Sequence, residues 1–140
     1  MKQERQRKKR AAATDREVTR RLMQAWAMAL ASHLMDQTPM NRAEALRQAY
    51  LVRRVLEGMG RGVVVFTYKK GDGSLRQARG TLCRGVSRAF DEYQYSNGEN
   101  ATHREDTYCY WDLDAEGFRA FKAEKVVEIV KSSDCEIVRS

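Results

Sequence analysis

Long hydrophobic runs are missing from this 140-residue chain. No stretch of eighteen apolar residues occurs, so no membrane-spanning helix is expected. The basic start is not followed by an apolar segment with a small-residue cleavage site, so a signal peptide is not expected either. Cysteine is scarce and odd in number: Cys83, Cys109 and Cys135. No two of them have the C-x-x-C spacing of a metal knuckle. A disulfide framework is not expected, which points to a reducing, cytoplasmic setting. A zinc site from these thiols plus His103 is disfavoured, because structural zinc takes four ligands, commonly in close pairs. No other metal or cofactor is expected.

Catalytic signatures are lacking too. There are two histidines, His33 and His103. There is no G-x-S-x-G, H-E-x-x-H, Walker A or G-x-G-x-x-G pattern. His33 falls on an apolar helical stripe and reads as a packing residue. His103 falls in a polar loop. Gly71-Asp72-Gly73 is explained by a hairpin turn, and Asp114 by the next one. The chain is therefore read as a non-enzyme.

What is present is charge, unevenly placed. The net charge is +7, and residues 1–21 carry nine basic and three acidic groups, leaving the remainder at +1. The basicity belongs to an arm, residues 1–13, expected to be disordered or weakly helical. A helical hairpin is expected over 14–60. In its first helix Val18, Leu22, Ala25, Trp26, Ala29, Leu30 and Leu34 recur at steps of three and four, widened by Met23, Met28 and Met35. That helix should stop before Pro39. The second opens on an Asn41–Glu44 capping box and should close at Gly58 and Gly60.

After Gly62 the period changes to two. Val63–Tyr68 reads as a strand, Lys69–Gly73 as a tight turn and Leu75–Cys83 as the return strand, with a bulge or bend at Gly80. Segment 84–106 is a long polar loop that reads either as containing a short strand around Phe90–Tyr95 or as a mobile excursion and candidate functional loop. Thr107–Leu113, Phe118–Phe121 and Val126–Val130 supply three more strands, a helical turn at Lys122–Lys125 precedes the last, and 132–140 reads as a tail. The fold class is α+β: an N-terminal helical hairpin followed by a small five-stranded SH3-like β-barrel over 63–131.

The string Phe66-Thr67-Tyr68-Lys69-Lys70-Gly71-Asp72-Gly73, with Arg76, Ala78 and Gly80-Thr81-Leu82, is paired with Tyr110-Trp111-Asp112 and Gly117-Phe118-Arg119-Ala120-Phe121-Lys122. Together these resemble an SH3 β-barrel family of unknown function from Bacteroidetes and their phages and mobile elements. The segment from Ala25-Trp26 to Ala49-Tyr50 is similar to a portable helical module of phage proteins from the same bacteria. More distantly, Arg119-Ala120-Phe121-Lys122-Ala123-Glu124-Lys125-Val126 resembles the R-x-F-x-x-x-R-I ending of the WYL domain. The WYL likeness implies a barrel that binds nucleotides or nucleic acid.

Two functions follow as expectations. One is a phage or mobile-element accessory protein that contacts DNA or RNA phosphates through Arg5, Arg7, Lys8, Lys9 and Arg10 of the arm and Arg76, Arg79, Arg119 and Lys122 of the barrel. Tyr108, Tyr110 or Trp111 could then stack bases if exposed, although Phe66, Trp111, Phe118 and Phe121 read first as core. The other is a module binding a host or phage protein, such as an enzyme inhibitor or assembly component. No membrane partner is expected, and the sequence does not set the oligomeric state.

Overall fold

A computed structural model of the chain describes residues 2–97 and 106–135. Helix α1 runs from Lys2 to Gln37 and α2 from Arg42 to Arg61. Strands β1 (Gly62–Lys69) and β2 (Leu75–Thr81) are followed by α3 (Arg88–Asn97). Then come β3 (Thr107–Asp112), β4 (Gly117–Lys122), a 3₁₀ turn (Ala123–Lys125) and β5 (Val126–Asp134). None of the described helices is long and apolar enough to cross a membrane.

The arm expected to be disordered or weakly helical is helical from Lys2 and continuous with the rest of α1. The apolar stripe also differs from the sequence reading. Ala27, Leu30, Ala31 and Leu34 are buried, with Trp26 packed beside them, whereas Val18, Leu22, Ala25 and Ala29 are exposed. Helix α1 meets α2 along the first set. The second helix begins as its capping box requires: the Glu44 amide donates to the Asn41 side chain at 2.9 Å, and the Glu44 carboxylate accepts from the Asn41 amide at 3.5 Å. It does not stop at Gly58 or Gly60. Gly58 is buried against Val64, where an added Cβ would lie 2.5 Å from a Val64 methyl, so this glycine serves a close helix–strand approach. Helix α2 then passes into β1 without an intervening residue.

The five strands form one antiparallel sheet in the order β4-β3-β2-β1-β5. Placing the last strand beside the first is how a small barrel limits its free edges. The β1–β2 turn follows from Asp-Gly chemistry. Gly73 sits at φ 87°, and the Asp72 carboxylate accepts from the Ser74 amide and hydroxyl at 2.9 and 2.6 Å. No bulge occurs at Gly80, where β1–β2 pairing is regular. The irregularities lie in β1–β5 pairing, at Val65/Phe66 and Thr67/Tyr68. Gly80 is required for packing instead: an added Cβ would lie 2.7 Å from the Tyr110 ring and 2.9 Å from the Met59 sulfur. The last strand reaches Asp134, beyond the Val130 expected, so the predicted tail begins as strand; positions 136–140 lie outside the described residues.

Both sheet faces are covered. Inward, Val64, Phe66, Tyr68, Ala78, Tyr110, Phe121 and Val126 join Val52, Val55 and Met59 of α2 in one core. Outward, Trp111 and Phe118 pack under Phe90 and Tyr93, with ring centroids 5.1–6.0 Å apart. The segment read as a strand near Phe90 is therefore α3, because Phe90 and Tyr93 fall three apart and so share one helical face. Residues 98–105 of the predicted loop, including His103, lie outside the described residues.

Candidate nucleic-acid interface

One end of the barrel carries a cleft of about 550 Å³ lined by Tyr68, Lys69, Lys70, Gly71, Arg76, Ala120, Phe121, Lys122, Glu124 and Lys125. Three local structures bring its cations together. The Asp72–Gly73 turn reverses the chain so that Arg76, entering β2, lies opposite Tyr68, while Lys69, paired with Leu75, and Lys70 beyond it stand at the same end of the hairpin. Alternation along β4 turns Phe121 into the core and leaves Lys122 exposed at the strand end. The 3₁₀ turn then returns Glu124 and Lys125 to the same rim. Five cations meet one acid. Among the described residues no carboxylate lies within ion-pair distance of Lys69, Lys70, Lys122 or Lys125.

Arg76 lies beside a phenol. The Tyr68 side chain raises the guanidinium pKa further above its ordinary value. The Tyr68 hydroxyl lies 2.8 Å from that of Tyr110. Burial, with this hydrogen bond second, pushes the Tyr110 phenol well above its usual range. Phenols carry no charge at neutral pH, so Arg76 is positioned without being neutralised and its charge remains available to an anion.

The 3₁₀ turn is pinned from α2. The Gln48 side-chain amide donates to the carbonyls of Ala123 and Val126, both at 2.8 Å, which brackets Glu124 and Lys125. Leaving two part-buried carbonyls unpaired costs about 1–3 kcal/mol. Gln48→Met should therefore lower stability by about that amount in urea denaturation. It should also shift the amide resonances of Lys122–Val126 while leaving those of the β1–β2 turn in place.

Of the barrel cations read from sequence, Arg76 and Lys122 line the cleft, and Arg79 and Arg119 do not. Arg79 is tied to Asp114 at 2.8 Å, which holds the Asp114 carboxyl below its ordinary pKa. Arg119 reaches the buried Asp112 at 3.3 Å. The other Asp112 oxygen accepts from the amides of Asp114 and Ala115, each at 2.9 Å. These two arginines brace the β3–β4 turn. Lys69, Lys70 and Lys125 are the cations that the sequence reading left out of the site. The first two had been absorbed into the hairpin turn. Lys125 was visible as the last basic position of the Arg119–Lys125 spacing.

Arg5, Arg7, Lys8 and Lys9 are exposed on α1, and Arg10 lies on the same helix with its side chain outside the described set. The aromatic residues do not form an open platform. Tyr110 is in the core, Trp111 is buried under α3 and Tyr108 packs against Trp26 and Phe121. His33 is half-buried beside Trp26 and Tyr108, 3.8 Å from Asp106. The three cysteines are half-buried and form no disulfide, and no metal-ligand group forms among the described residues.

No curated protein and no solved structure matches this chain. A family model described as WYL_2, Sm-like SH3 beta-barrel fold, matches residues 52–127, from within α2 to the start of β5. The matched span holds every residue of the cleft and leaves α1 outside it. An Sm-like SH3 barrel is typically a small non-catalytic binding module. The five-stranded antiparallel sheet and a match over more than half of the sequence agree, and the chain belongs to the WYL_2 family of Sm-like SH3 β-barrels.

Proposed function

We propose that this protein binds the phosphate backbone of DNA or RNA through the barrel-end cleft, with the basic half of α1 as a second contact, as an accessory protein of a phage or mobile element. The observation that carries this reading is the convergence of Lys69, Lys70, Arg76, Lys122 and Lys125 on one concave surface whose lining holds one acid, Glu124, with Asp72 of the adjoining turn near Lys70. Grouped, unpaired cations beside a low-dielectric wall focus a positive potential and attract polyanions. The cleft replaces Arg79 and Arg119, whose charges are spent within the fold.

Binding of this kind is dominated by counterion release. Six phosphate contacts would weaken duplex binding about 10³-fold between 50 and 200 mM salt. Fluorescence anisotropy with labelled single and double strands across that range is the test. Replacing Arg7, Lys8 and Lys9 together by alanine should flatten the log–log salt slope by up to about 2.7 while leaving the cleft's contribution. Absent binding, or binding insensitive to salt in both proteins, would sink the proposal.

A further inference from the structure

We infer that α1 is a self-association helix whose N-terminal half packs antiparallel against the outer face of α1 in a second copy of this chain. The inference is independent of nucleic-acid binding and starts from an apolar pattern that the monomer leaves unused. Helix α1 carries two apolar stripes on opposite sides. One, Ala27, Leu30, Ala31 and Leu34, is buried against α2. The other, Val18, Leu22, Ala25, Ala29 and Ser32, follows the 4-3-4-3 spacing of a coiled-coil seam and faces solvent along its whole length. Val18 is 49% exposed and Leu22 66%. Beside this seam Met28 and Met35, 55% and 43% exposed, join Leu46 and Tyr50 in an apolar groove of about 520 Å³ between the two helices.

The length of the helix makes the same point. Its 36 residues extend about 54 Å at 1.5 Å each. Every described side chain from Lys2 to Leu22 is exposed, so none of those described is buried against the rest of the chain. Helices gain most of their stability from tertiary packing of an apolar face, and here Val18 and Leu22 open a seam, continued by Ala25 and Ala29, that the monomer leaves exposed.

Charge selects a second copy and its direction. Lys2, Arg5, Arg7, Lys8 and Lys9 crowd the N-terminal end of α1, where the macrodipole disfavours cations. The last turn carries Asp36 and no basic residue, where it disfavours an anion. A parallel pair would stack the basic cluster on its own copy. An antiparallel pair with Leu22 level with Ala25 sets Val18 against Ala29. It also brings Asp36 level with position 11, within one turn of Arg7 and Lys8 of the other copy, so both misplaced charges gain opposite-sign neighbours. Small residues at 25, 29 and 32 allow the two helices to come close. The arrangement is isologous, each protruding half covering the other's seam.

Sedimentation equilibrium of the full chain should show a dimer of the 16.1 kDa protomer. Leu22→Glu should weaken it on the order of 100-fold, with the urea denaturation of the barrel unchanged because Leu22 is exposed and lies outside the core. Asp36→Lys should weaken it, and adding Arg7→Glu with Lys8→Glu should restore it. A monomer at 100 μM, a dimer indifferent to Leu22→Glu, or charge reversal that fails to restore pairing would each overturn the inference.

Discussion

Phe66→Ala is expected to cost about 3–5 kcal/mol, against a typical total of about 5–15 for a domain of this size. Phe66 is completely buried on β1, the strand hydrogen-bonded to both β2 and β5. Its ring lies 5.3 Å from those of Tyr110 and Phe121 and 5.6 Å from that of Tyr68. Gly80, beside the ring edge, has no side chain to fill the space, so the cavity closes only as far as Met59 and the neighbouring rings shift. Tyr68 and Tyr110, which set the floor beneath Arg76, would also lose their packing. Urea denaturation reads the effect directly: a loss under 1 kcal/mol would mean that the core does not centre on this ring.

Lys122→Glu combined with Lys125→Glu is expected to lower nucleic-acid affinity on the order of 100-fold at 50 mM salt and to reduce the salt slope by about 1.8. The pair changes the cleft from five cations against one acid to three against three. Lys122 is exposed and Lys125 half-buried, so the folded state should persist, which circular dichroism can verify. Arg79→Ala is the matched control. Its guanidinium is engaged by Asp114, and an exposed pair of that kind is worth about 0–1 kcal/mol to the fold. Binding by that variant should stay within about twofold of the parent. Equal losses in the two proteins would place the contact surface elsewhere.

The barrel was legible because its signals are local. Val63–Tyr68 is β-branched and aromatic, Asp72-Gly73 turns, and Asn41 with Glu44 writes a cap into four residues. Segment 84–106 was misread where the Phe90–Tyr93 spacing fits a helix, and only the outward faces of Trp111 and Phe118 show why a helix is needed there. In α1 the two apolar stripes are interleaved in sequence. Val18, Leu22, Ala25 and Ala29 merged with Leu30 and Leu34 into one apparent face, and only packing against α2 separates them. The candidate site was half visible for a related reason. Arg76, Arg79, Arg119 and Lys122 look alike as letters. What divides them is Asp112 and Asp114, far along the chain from Arg79 yet adjacent to it in the folded sheet.

The join between α2 and β1 has a mechanical meaning. A chain that passes from Arg61 in a helix to Gly62 in a strand has no loop between the two, and Gln48 fastens the same helix to the turn before β5. Helix and sheet are thereby joined at two places. A pull or twist on α2 is passed to β1 through the chain and to the rim that carries Lys125 through Gln48.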